Sequence, residues 1–105
     1  MTNVFLEDRI TVSQAEIDEF CRQNHIRRLS FFGSVLREDF RPESDIDLLV
    51  EFDPEHIPGY FTLSAMEREL SGLLGRKVDL RTPGEISDYY RNRVLASSQV
   101  WYESP

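Results

Sequence analysis

Residues 31–52, FFGSVLREDFRPESDIDLLVEF, decide how this sequence is expected to fold. An apolar stretch ends at Gly33, a polar connection follows, and a second apolar stretch opens with Asp45 and Asp47. Residues two apart on a β-strand point to the same side, so a strand here places both carboxylates together and turns Ile46 and Leu48 the other way. Carboxylates hold the paired Mg²⁺ ions of phosphoryl-transfer sites, which lie about 3.5–4 Å apart. A metal site at the start of this strand is therefore one interpretation.

A structural alternative must be weighed against it. Asp-x-Asp at the start of a strand is also common in turns and on exposed sheet edges. The residues before the pair favour function, because Gly33 lets a ligand approach the backbone and Ser34 adds a hydroxyl. A short helical turn is predicted over residues 35–39, and the free amides of such a turn attract phosphate. We therefore expect a phosphate-binding turn beside the carboxylate pair.

The spacing of these residues resembles that of a known family. Gly-Ser, ten further residues and then Asp-x-Asp form the signature of the DNA polymerase β-like nucleotidyltransferases, and residues 33–34 and 45–47 match it without a gap. The longer form seen in small bacterial members, G-S-x-A-R-G ahead of S-D-I-D-L-L-V, is matched by GSVLR and SDIDLLV; Leu36 and Glu38 depart from it. The chain thus resembles the minimal nucleotidyltransferase (MNT) family, in particular the MntA-type antitoxins encoded beside HEPN-domain toxins.

The resemblance implies an activity and a set of site residues. It implies Mg²⁺-dependent transfer of AMP from ATP to a hydroxyl, expected on a tyrosine of a cognate HEPN RNase toxin, which the transfer neutralises. Two Mg²⁺ ions and the catalysis are assigned to three acids: Asp45, Asp47 and Asp79. Nucleotide binding is assigned to Gly33, Ser34, Arg37 and Ser44. A lone Asp79 within a strand is also consistent with a structural ion pair to Arg81.

Other functions stay open at this point. Nucleotidyl transfer to RNA or a small molecule is one, and a non-catalytic antitoxin that acts by stoichiometric complex formation is another. A purely structural α/β module is the third. The formal charge of −7 counts against broad, direct nucleic-acid binding, whose affinity comes largely from Lys and Arg. The presence of all three carboxylates and the serine counts against a decayed site.

Length and composition predict a single domain. The 105 residues suit one domain, with a core spanning about residues 12–103. Cys21 is the only cysteine, which excludes an internal disulfide, and we interpret it as a small core hydrophobe. Nothing in the sequence resembles a signal peptide or a membrane span, so a cytoplasmic protein is expected.

Hydrophobic periodicity and capping signals predict the elements. Helices are expected over residues 13–24, with a capping box from Ser13 to Glu16, and over residues 60–74, ending at Gly75. Strands are expected over residues 26–32, 45–52 and 77–82, with a final short strand or packed tail at 100–102. A last helix should start at a Thr82 capping box, with an apolar face of Ile86, Tyr89 or Tyr90, Val94 and Leu95. The fold class is therefore α/β; we expect the minimal polymerase β-like nucleotidyltransferase fold, a small mixed sheet with helices packed on one face.

Overall fold

The computed structural model describes residues 12–33 and 45–105, and a mixed sheet lies at its centre. Its strands are β1 (Ile26–Phe32), β2 (Ile46–Phe52), β3 (Val78–Arg81) and β4 (Gln99–Glu103), in the order β3-β2-β1-β4. β1 is antiparallel to β2 and β4, whereas β2 and β3 are parallel. The predicted small mixed sheet is confirmed, and residues 100–102 lie in its edge strand β4.

Two helices form as the capping signals predict. Helix α1 (Gln14–Gln23) begins after Ser13, whose Oγ accepts a hydrogen bond from the Glu16 amide at 3.2 Å. Helix α2 (Tyr60–Leu74) ends at Gly75, which adopts the left-handed conformation with φ 66°. A residue without a Cβ takes that conformation at little cost, so the chain leaves the helix there and turns into β3.

The core lies between one sheet face and these two helices. The helices contribute their buried stripes, and the strands contribute alternate residues, because successive strand residues face opposite sides. The buried apolar cluster comprises Ile17, Phe20, Cys21, Ile26, Leu29, Phe31, Ile46, Leu48, Val50, Met66, Leu70, Leu74, Val78, Leu80 and Tyr102. On the opposite face Ser30 and Leu49 are also buried, so that face is only partly open.

Edge strand β3 is fixed to α2 by side chains. The amide of Val78 donates to Ser71 Oγ at 3.0 Å, and the amide of Leu80 donates to Glu67 Oε2 at 2.8 Å. Ser71 Oγ in turn donates to the carbonyl of Glu67 at 2.8 Å. The outward amides of an edge strand need partners when they are partly buried. Helix α2 supplies them and so fixes the strand that carries Asp79.

The last predicted helix is divided in two, so its prediction as one helix from Thr82 is wrong. The capping box between Thr82 and Glu85 forms, but it begins only the 3₁₀ helix Pro83–Glu85. Ile86 then adopts an extended backbone with φ −85° and ψ 131°. Ser87 starts helix α3 (Asp88–Ser97), its Oγ accepting from the Tyr89 amide at 3.2 Å. A second N-cap residue directly after the first turn competes with continuation of the helix.

Arg91 stabilises this break, and the expected apolar face of the helix is not buried. The Nε of Arg91 donates to the carbonyl of Pro83 at 2.8 Å and the Nη2 of Arg91 donates to the carbonyl of Ile86 at 3.0 Å, so both carbonyls are satisfied outside a continuous helix.

No residue of α3 is buried, and Tyr89 is 77% exposed. The apolar face predicted for this helix is therefore mostly exposed and adds no residue to the buried core.

Some predictions fall outside the described ranges or stay untested. The helical turn expected over residues 35–39 lies in the part that the structure does not describe. A single domain over residues 1–105 stays a prediction. No helix within residues 12–33 and 45–105 is long and apolar enough to cross a membrane.

Candidate active site

The sheet register brings two predicted site residues together. Asp47 pairs with Phe32 across β1 and β2, and with Asp79 across the parallel strands β2 and β3. Directly paired residues point to the same sheet face, and neighbouring strands lie about 4.8 Å apart. Asp45 precedes β2 directly, two residues before Asp47. The three aspartates therefore share one end of the sheet, and Asp47 and Asp79 are neighbours on one face.

Gly33 lies against the carboxylate of Asp47. It directly follows β1 and has φ 72°, a conformation that side chains disfavour. A Cβ built at Gly33 would lie 3.2 Å from Asp47 Cγ and closer still to Oδ2. The turn and the carboxylate thus meet at the same end of the sheet, and a glycine is needed both for the backbone and for the space.

Asp79 forms an ion pair with Arg81. Arg81 Nε donates to Oδ1 at 3.0 Å and Nη2 donates to Oδ2 at 3.2 Å, so both carboxylate oxygens are engaged. The hydrogen bond to Asp79 and then its charge raise the pKa of Arg81, and the charges of Glu85 and Asp47 add to the effect. The ion pair between Asp79 and Arg81, which the sequence analysis gave as the structural alternative, is present. It is half-exposed, with 49% of the Arg81 side chain and 35% of the Asp79 side chain accessible.

The donor groups are of the kind that a hard cation binds, and basic side chains of the chain itself lie against two of them. Lys77 Nζ lies 3.8 Å from Asp45 Oδ2, and Arg81 holds Asp79. Across residues 12–33 and 45–105, no three His, Cys, Asp or Glu side chains are arranged to hold a metal ion. Carboxylate oxygens are nevertheless the ligands that Mg²⁺ prefers, and the strand register already aligns Asp47 with Asp79. The guanidinium of Arg81 opposes a cation at the Asp79 carboxylate, because both carry positive charge.

The remaining predicted residues cannot be placed, and two residues that support the site were missed. Ser34, Arg37 and Ser44 lie outside the described ranges, so of the predicted nucleotide-binding set the structure places Gly33. Glu67 and Ser71, which bind the edge amides of β3, were not singled out from the sequence. Polar residues on a helix do not by themselves indicate contact with a strand. The role of Glu67 and Ser71 depends on β3 being an edge strand beside α2.

Comparison with known proteins identifies the family. The Nucleotidyltransferase domain family matches residues 15–101. The chain belongs to the nucleotidyltransferase family. This nucleotidyltransferase is 34% identical over 80 residues to protein adenylyltransferase MntA of Thermococcus cleftensis, covering 76% of the chain and 79% of the relative. The enzyme class predicted from the Gly-Ser and Asp-x-Asp signature is confirmed.

Solved structures agree on the fold of this nucleotidyltransferase. A toxin–antitoxin crystal structure with AMP-PNP matches with a TM-score of 0.71 at 19% identity, covering 89% of this chain and 75% of that one. A Shewanella oneidensis complex of tri-AMPylated HEPN toxin with MNT antitoxin matches with a TM-score of 0.63 at 19% identity, covering 87% and 70%. The predicted minimal nucleotidyltransferase fold is confirmed.

Proposed function

We propose that this nucleotidyltransferase is an antitoxin that transfers AMP from ATP to a tyrosine hydroxyl of a cognate HEPN RNase toxin and thereby neutralises it. The observation that carries the proposal is the parallel pairing of Asp47 with Asp79 beside Gly33. The names of similar proteins support it: one is protein adenylyltransferase MntA, and one complex joins AMPylated HEPN toxin to MNT antitoxin. The AMP-PNP in a third supports ATP as the donor.

Three carboxylates would hold the metal ions in this proposal. Asp45, Asp47 and Asp79 supply oxygen ligands of the kind that two Mg²⁺ ions require. Bound ions would neutralise charge on the transferred and leaving phosphate oxygens. Arg81 contacts both oxygens of Asp79, so its guanidinium charge would oppose metal binding at that carboxylate.

The protein groups then orient the reactants. The turn at Gly33 and Ser34, with Arg37 and Ser44, would hold the triphosphate so that its α-phosphorus faces the acceptor. The tyrosine oxygen attacks the α-phosphorus, the bond to the β-phosphate oxygen breaks, and pyrophosphate leaves. Asp79 accepts the proton of the tyrosine hydroxyl. The products are tyrosyl-AMP on the toxin and pyrophosphate.

The proposal includes the cellular context. The toxin and this chain form a hetero-oligomer; the similar complex of tri-AMPylated HEPN toxin with MNT antitoxin supports this part of the proposal. We place the complex in the cytoplasm, where ATP and the RNA substrates of the toxin are found. The formal charge of −7 supports recognition of a protein acceptor, without direct nucleic-acid binding by this chain.

A non-catalytic antitoxin is the second candidate, and two observations favour it. Arg81 neutralises the third carboxylate, and several aromatic side chains that could contact a partner are exposed, among them Phe61 at 87% and Tyr89 at 77%. In this alternative the chain neutralises its toxin by stoichiometric contact. The two candidates differ in whether neutralisation needs Asp47.

Asp47→Asn separates the two candidates. With Mg²⁺ and α-labelled ATP, the wild-type chain should label the toxin and stop its RNase activity, whereas Asp47→Asn should lose about 100-fold or more of the transfer rate and still bind the toxin. Label from γ-labelled ATP should not appear on the toxin. Glu69→Gln is the matched control, because it makes the same carboxylate-to-amide change at an exposed position on α2. Undiminished neutralisation by Asp47→Asn would favour the non-catalytic candidate.

A further inference from the structure

We infer that Arg81 is a positioning residue that holds the Asp79 carboxylate and competes with divalent metal for it. The inference rests on the proposed function, in which Asp79 is a metal ligand. It adds a residue that neither the signature motif nor the family assignment marks. If Arg81 competes in this way, this one side chain lowers the metal affinity of the site.

The geometry makes the competition direct. Arg81 engages both oxygens of Asp79, at 3.0 and 3.2 Å, so a metal ion bound to either oxygen must lie close to the guanidinium and is repelled by its charge. Two parallel bonds of this kind are the strongest form of Arg–carboxylate pairing. The two residues are two apart on β3, so they share a sheet face and the pair needs no other element. A metal ion at Asp79 therefore competes with the guanidinium for the negative charge of this carboxylate.

The local charges explain why a cation is needed there. Asp47 lies beside Asp79 in the strand register, and Glu85 also lies close enough for its charge to act on Arg81. Like charges held together repel and destabilise one another. The guanidinium of Arg81 offsets this repulsion. A divalent ion can take over that role, so the guanidinium and the metal are alternative counter-ions for the same group.

The exposure of the pair sets the size of the effect. With 49% of Arg81 and 35% of Asp79 accessible, water screens the attraction and the pair is readily opened. Exposed ion pairs contribute little free energy, and the bidentate geometry places this pair at the upper end of their range. That free energy corresponds to about a three- to fivefold change in an equilibrium constant. Arg81 should therefore weaken metal binding without preventing it.

The test uses Mn²⁺ alone, with free Mn²⁺ counted by its electron paramagnetic resonance signal in titrations without nucleotide or toxin. Arg81→Gln should bind Mn²⁺ about three- to fivefold more tightly than the wild-type chain. Arg81→Lys, which keeps the charge and loses the two-pronged geometry, should lie between them. Arg93→Gln is the matched control, because it removes the same charge from an exposed position on α3 and should bind Mn²⁺ nearly as the wild type does.

Asp79→Asn in the Arg81→Gln background shows whether the gain comes from this carboxylate. If the inference holds, replacing Arg81 in the Asp79→Asn protein brings no gain in Mn²⁺ affinity. The inference is overturned if Arg81→Gln binds Mn²⁺ no more tightly than Arg93→Gln, or if the gain persists without Asp79. Absence of Mn²⁺ binding in every protein would instead overturn the proposed metal site, and this inference with it.

Discussion

Replacing Gly33 with alanine should impair catalysis much more than stability. The substitution adds a Cβ that would lie 3.2 Å from Asp47 Cγ and closer still to its Oδ2, at a residue with φ 72°. The carboxylate is the end of a rotatable side chain, so it should move away before the backbone does. Gly75 provides a matched control, because its φ is 66° and an added Cβ there meets no atom within 4 Å.

Both substitutions put a Cβ on left-handed backbone, but only Gly33→Ala also displaces the Asp47 carboxylate. Left-handed backbone costs a residue with a Cβ about 1–2 kcal/mol, so Gly75→Ala should lose about that much unfolding free energy. Gly33→Ala should lose about 1 kcal/mol more, the cost of forcing Asp47 off its preferred rotamer. Displacement of a catalytic group by about 1 Å can lower the rate about 100-fold. The transfer rate of Gly33→Ala should therefore fall by about that factor, whereas Gly75→Ala should keep the wild-type rate.

Urea unfolding and the rate of AMP transfer to the toxin measure these two effects. The single tryptophan, Trp101, stacks on core residue Phe31 with ring centroids 4.5 Å apart, so its fluorescence should report unfolding. Both rates are compared at temperatures where each variant is folded. Equal transfer rates for Gly33→Ala and Gly75→Ala would refute the reasoning that Gly33 makes room for the Asp47 carboxylate.

Three further substitutions test the fold and the surface. Glu67→Ala removes the acceptor of the Leu80 amide and should cost about 1–2 kcal/mol in urea unfolding, whereas exposed Glu69→Ala should change little; equal losses would contradict the role of Glu67. Burial raises the pKa of Cys21 to about 12, above about 8.5 for an unfolded thiol, so its contribution to stability is complete below about pH 8.5 and is lost as the pH rises towards 12. From pH 8.5 to 10 the wild type should therefore lose about 2 kcal/mol more than Cys21→Ala in urea unfolding, and parallel losses would show that the thiol is not shielded. Tyr89→Ser, at a side chain 77% exposed, should leave the unfolding free energy within about 0.5 kcal/mol, and a larger loss would mean that α3 is packed.

Capping residues and hydrophobic periodicity predicted the helices and strands well where these local signals agreed with the packing of the folded chain. The Ser13 cap, the left-handed Gly75 and the alternation in β2 each fix a boundary through contacts within a few residues, so the sequence alone sufficed. The last helix failed because Thr82 and Ser87 both offer an N-cap, and periodicity does not say which one the chain uses.

The site was only partly predictable for a different reason. That Asp45 and Asp47 share a face follows from strand alternation, but the pairing of Asp47 with Asp79 depends on the register of strands separated by a whole helix. The side-chain conformation of Asp79 decides whether its carboxylate pairs with Arg81 or faces a metal ion. Sequence spacing permits both outcomes and does not rank them.

The intact mass of the proposed HEPN toxin partner tests the central claim most directly. After incubation with this protein, Mg²⁺ and ATP, the toxin should gain the mass of one or more whole AMP units, and it should gain none when Asp47→Asn replaces the wild-type chain. An unchanged toxin mass with the wild-type protein and each of the four ribonucleoside triphosphates would contradict catalysis at these aspartates.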